Sequence, residues 1–80
     1  MTKKLSELKV GEKGIIKKLN LNGVTRRRLF DLGFIPGTEI SVVLQSPLRD
    51  PIAYEVRGTK IALRKEESDK IEVEVINEQK

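Results

Sequence analysis

The segment Ile52-Ala53-Tyr54-Glu55-Val56-Arg57-Gly58-Thr59-Lys60-Ile61-Ala62-Leu63 carries the clearest structural pattern in the chain. Ile52, Tyr54 and Val56 alternate with Ala53 and Glu55, the period-two spacing of a strand with one face on a core. Arg57-Gly58 reads as a tight turn, and Thr59, Ile61 and Leu63 share one face of the strand that follows. Two strands joined by two residues predict an antiparallel hairpin.

Working upstream, Pro47 and Pro51 bracket a loop, and Thr38 to Leu44 reads as a strand with Ile40, Val42 and Leu44 on one face. Pro36-Gly37 is the pair a type II turn places at its two central positions. Asn22 at the N-cap and Gly33 at C′ enclose a helix of about three turns. Gly14 to Leu19 forms the first strand, with Ile15 and Ile16 as its apolar pair. Leu5, Leu8 and Val10 precede a turn at Gly11. Downstream, Arg64 to Asp69 has the length of one helical turn. The last strand sets Ile71, Val73 and Val75 inward and Glu72 and Glu74 outward. The expectation is one mainly β domain over residues 1–80. It has five short strands, one short helix after the first strand, and a closed or nearly closed barrel that removes exposed edges.

Composition narrows the chemistry. Eighty residues lie near the lower limit for a self-sufficient core. With no cysteine and no histidine, the usual nucleophile–base pairs, thiolate and imidazole metal ligation and neutral-pH proton shuttles are all excluded. The expectation is therefore no catalytic residue, no cofactor and no protein-held metal. Gly11-Glu12-Lys13-Gly14 lacks the Gly-Lys-Ser/Thr ending of a phosphate loop and precedes a strand, so it is a turn. Glu66, Glu67 and Asp69 lie among Arg64, Lys65 and Lys70 and read as a solvated, self-neutralising turn. No apolar signal segment follows Lys3 and Lys4, and no run approaches the ~20 residues of a membrane span. A cytoplasmic location without direct membrane insertion is expected.

Charge is uneven. Residues 1–40 hold nine Lys/Arg against four Asp/Glu, whereas residues 41–80 hold seven against eight. Partners of opposite charge should prefer the N-terminal half. On a helical wheel Val24, Thr25, Arg28, Leu29 and Leu32 share one side, read as inward, with the Arg28 stem on apolar surface and its head on a carbonyl or carboxylate. Arg26, Arg27 and Phe30 fall on the other side. An aromatic between two arginines has the composition of a protein interface.

Thr25-Arg26-Arg27-Arg28-Leu29-Phe30-Asp31-Leu32-Gly33-Phe34-Ile35-Pro36-Gly37-Thr38 resembles the helix and following turn of the FeoA family, ferrous iron transport protein A. The likeness continues through Ser46 to Ile52, through Val56-Arg57-Gly58 and through Ile61 to Lys65, ending in the Ile71-Glu72-Val73 strand. It implies an SH3-like barrel, with Arg28, Leu29, Leu32, Gly33, Pro36, Gly37 and Gly58 as structural positions. It also implies a small cytoplasmic protein that associates with FeoB, the membrane ferrous-iron transporter carrying a GTPase domain. Arg49 stands where relatives often have glycine. The docking residues expected are Arg26, Arg27 and Phe30. A metal-dependent repressor, which uses a related domain, has no room here for its winged helix. The alternative is a small basic barrel binding RNA or DNA, but only Tyr54 of the three aromatics lies on a predicted strand, so no specific nucleic-acid binding is expected. The expected state is a monomer or a weak homo-oligomer.

Overall fold

The computed structural model describes residues 2–45, 47–48 and 50–76. Strands β1 (Thr2–Lys4), β2 (Lys13–Leu19), β3 (Glu39–Gln45), β4 (Ile52–Val56), β5 (Thr59–Leu63) and β6 (Ile71–Ile76) form one sheet. Every pairing is antiparallel, in the order β1-β6-β2-β3-β4-β5. Helix α1 (Gly23–Asp31) joins β2 to β3, and the single turn α2 (Lys65–Ser68) joins β5 to β6. The fold is mainly β as expected, but it has six strands rather than five, and the helix follows the second. The additional strand β1 is three residues long and bordered by a 3₁₀ turn, Leu5–Glu7. So short a segment carries no periodicity, and it is defined by pairing with β6, Lys3 opposite Val73.

Among the described residues the outer strands β1 and β5 do not pair with each other. The 3₁₀ turn and α2 meet across the opening, where the Ser6 hydroxyl donates to the Asp69 carboxylate. The core runs through all layers: Leu5 and Leu8 beside the 3₁₀ turn, Leu29 from α1, and Phe34, Ile40, Ile52, Tyr54, Val56, Ile71 and Val73 are fully or almost fully buried.

Two bulges re-aim side chains. In β3, Val42 opposes Tyr54 while Leu44 opposes Ala53, so Val43 is an extra residue. The insertion shifts the pleat by one, and Leu44, expected to face inward with Ile40 and Val42, is 65% exposed. In β2, Ile16 opposes Val73 and Lys18 opposes Glu72, which makes Lys17 the extra residue and returns Leu19 to the core. Ile16 is fully buried, whereas its expected companion Ile15 is only half-buried. The β4–β5 hairpin matches its pattern on the β4 side, where Ile52, Tyr54 and Val56 are buried. On β5, burial declines from Leu63 through Ile61 to an exposed Thr59.

The turns follow their chemistry. Thr38 N–H bonds to the Ile35 carbonyl around Pro36-Gly37, with Gly37 at φ +97°, as a type II turn requires. Arg57 (φ +53°) and Gly58 (φ +83°) are both left-handed, which defines the I′ turn that fits twisted strands. Gly33 (φ +107°) ends the helix. Phe34 N–H reaches back to the Leu29 carbonyl and Gly33 N–H to that of Phe30, a Schellman closure with Leu29 and Phe34 buried together. A Cβ on Gly33 would lie 3.2 Å from Val56 Cγ1 and 3.3 Å from Arg57 Cδ. We expect Gly33→Ala to destabilise the fold by about 1–3 kcal/mol in denaturant titration, through positive-φ strain and this contact together. An unchanged midpoint would show that the helix end can be re-formed without glycine.

Candidate functional site

Helix α1 begins at Asn22, which occupies the N-cap in extended conformation but makes no side-chain capping bond. Its roll on the sheet differs from the helical-wheel expectation. Leu29 is fully buried and Phe30 is half-buried against the core, whereas Val24 is 83% exposed and Leu32 38%. Thr25, half-buried, shares the inward arc. The physical reason lies at the helix end. The Gly33 closure pins Leu29 over Phe34, and rolling toward the Phe30 side buries an aromatic in place of a valine.

Phe30 is therefore not an outward anchor, and Val24 and Leu32 are not core residues. Leu32 serves structure through its backbone, its N–H bonding to the Arg28 and Leu29 carbonyls.

The three arginines separate into three roles. Arg26 lies over the Phe30 ring, its guanidinium carbon 4.4 Å from the centroid, a cation–π contact that covers one face of the ring. Arg28 extends to α2, where its Nη2 is 2.9 Å from Glu67 Oε2. The other Glu67 oxygen accepts the Arg64 N–H at 3.2 Å, capping α2. One carboxylate thus couples the two helical segments, and of the two kinds of partner expected for Arg28, a carbonyl or a carboxylate, the structure has the Glu67 carboxylate. The stem is more open than expected, with half of the Arg28 side chain exposed. Arg27 forms no ion pair among the described residues and is exposed.

Arg26, Arg27 and Phe30 do come together. With Val24 and Asp31 they line one shallow surface concavity around the first turns of α1. Val24 is its exposed apolar element and the arginines dominate its charge. Sequence pattern missed Val24 because a wheel gives relative angles and not the roll. The Ser46 and Arg49 positions lie outside the described residues.

A second polar cluster lies under the barrel opening, on the far side of α2. Ser6 donates to Asp69, and Lys65 Nζ stands 3.3 Å from the second Asp69 oxygen. The Ser6 hydroxyl, reinforced by Lys65 and Lys4, holds the Asp69 carboxyl below its ordinary value against the opposing effect of desolvation. Burial pushes the Tyr54 phenol up; Ser68 lies beside it, but among the described residues the hydroxyl makes no well-formed hydrogen bond. No local motif announces this cluster, since Ser6 and Asp69 are 63 positions apart. No group of three or more His, Cys, Asp or Glu residues converges as a metal-binding set among the described residues. No described helix is long and apolar enough to cross a membrane.

The FeoA domain family model matches residues 3–75. A Porphyromonas gingivalis Fe(2+) transport protein A/Fe(2+) transporter FeoB fusion protein is 42% identical over 74 residues, which is 92% of this chain and 9% of the fusion. An iron(II) transport protein A from Clostridium thermocellum, 44% identical, superposes with a TM-score of 0.88, covering 92% of this chain and 46% of that one. Stenotrophomonas maltophilia FeoA, solved in complex with zinc and described as an SH3 domain protein, is 33% identical with a TM-score of 0.74, covering 92% and 89%. The sheet described above is accordingly SH3-like.

Two expectations follow from the geometry. Because Arg28 and its partner are partly solvated, Arg28→Ala should cost no more than about 1 kcal/mol of stability. A larger loss in denaturant titration would mean that Glu67 depends on this guanidinium. Asp69, with its folded-state pKa depressed, contributes stability that is present above the ordinary carboxylate pKa of about 4 and lost as pH falls through the folded value. Thermal melts of wild type and Asp69→Asn should therefore differ at pH 7 and converge toward pH 2.

Proposed function

Because the chain belongs to the FeoA domain family, matched over residues 3–75, we propose that it is a non-catalytic, cytoplasmic accessory protein that binds the cytoplasmic part of a FeoB-type ferrous-iron transporter. The observation that carries this reading is the fusion relative, in which a homologous Fe(2+) transport protein A is joined to a FeoB transporter in one polypeptide. A covalent link of that kind holds two modules at high effective concentration, which is useful where separate chains would have to associate.

The docking face we assign is the outer side of α1. Val24 supplies an apolar contact, and Arg27 beside it a planar, long-reach donor with no competing ion pair among the described residues. Arg26 and the Phe30 edge flank them. This combination fits an acidic-rimmed apolar groove, and the basic charge of this half of the chain favours rapid encounter.

The test is binding to the soluble GTPase part of a FeoB-type transporter, measured by surface plasmon resonance. Val24→Ala should weaken binding by about 1–2 kcal/mol with little change in melting temperature. Arg27→Glu should mainly slow association and flatten its salt dependence. Phe30→Ala, by contrast, should destabilise the fold, since the ring packs on the core. Binding that persists unchanged through Val24→Ala and Arg27→Glu would remove α1 from the interface.

A further inference from the structure

Among the described residues strand β5 is an unpaired sheet edge, and it has a definable hydrogen-bonding register. The two-residue turn at Arg57-Gly58 is closed by the pair Val56↔Thr59, and the β4–β5 ladder continues without a bulge to Ile52↔Leu63. In a hairpin of this type the closing pair is hydrogen-bonded, and bonded and non-bonded pairs alternate from there. Thr59, Ile61 and Leu63 therefore bond to β4. Lys60 and Ala62 direct their N–H and C=O groups away from it.

Both residues are exposed, and among the described residues no backbone hydrogen bond other than those of the β4 ladder engages β5. The usual protections of an edge are weak here. Among the described residues there is no proline, bulge or covering segment on it, and one lysine stands on the strand. The opposite edge, β1, is only three residues long.

Three exposed cations flank it, Lys60 on the strand, Arg57 at one end and Arg64 at the other, with Glu55 opposite Lys60 and Lys65 already paired to Asp69. We propose that β5 receives an acidic, extended peptide segment of a partner protein as an added antiparallel or parallel strand, anchored on the Lys60 and Ala62 backbone. This edge is separate from the α1 face. A second copy of the chain is the poorer occupant, because two β5 edges would bring the same three cations together.

The probe is a capped octapeptide of alternating glutamate and threonine, titrated into the ¹⁵N-labelled chain, with the lysine–threonine counterpart as control. The Lys60 and Ala62 amides should shift and their hydrogen exchange should slow at least tenfold, while the lysine peptide has no effect. Ala62→Pro removes one outward N–H without breaking a β4 bond and should weaken binding at least tenfold. Lys60→Glu, which leaves the backbone intact, should do the same. No binding of the acidic peptide at millimolar concentration, shifts centred on α1, retained binding in a folded Ala62→Pro chain, or self-association through β5 would each overturn the proposal.

Discussion

The end of α1 is the constraint on which most of the molecule's surface depends. Gly33 lies in the left-handed region with Val56 and the Arg57 stem against the place a Cβ would take. That close approach welds the helix terminus to the β4–β5 turn, and the Schellman bonds then fix Leu29 over the core. Once Leu29 is fixed, the roll of the helix is determined. Phe30 goes to the core margin, Arg28 comes within reach of Glu67, and Val24 and Arg27 are left facing solvent. A change at one glycine would therefore act on stability and on the outer helix face together.

A chain of this size has little apolar surface to spare, and with no cysteine it has no covalent staple. It compensates with continuity of packing, from the 3₁₀ turn through the sheet to α1. Carboxylates finish the short elements: Glu7 accepts the Lys4 N–H, Glu12 that of Lys9, and Glu67 that of Arg64. Each satisfies an orphan donor three residues back, so three of the twelve acidic side chains serve as backbone caps. The positive charge offered to partners comes from the excess of sixteen Lys/Arg over twelve Asp/Glu, concentrated in the half of the chain that contains α1.

The β class, the hairpin, both glycine-dependent turns, the extent of α1 and the family were legible in the amino-acid order alone. These depend on local rules: alternation along a strand, positive φ at a turn, and a glycine after the last helical residue. Everything that rests on an inserted residue or on a rotation needed contacts between distant parts of the chain. Val43 and Lys17 bulge because of the strands opposite them, and Leu44 is turned outward as a result. The wheel placed Arg26, Arg27 and Phe30 near one another correctly, but Phe30 and Val24 exchanged environments because the Gly33 closure, formed against residues of β4 and its turn, sets the helix angle. The Ser6–Asp69 bond and the Arg28–Glu67 pair join positions far apart in the chain. Periodicity reports which residues lie on the same side of an element, and only packing against distant residues decides which side faces in.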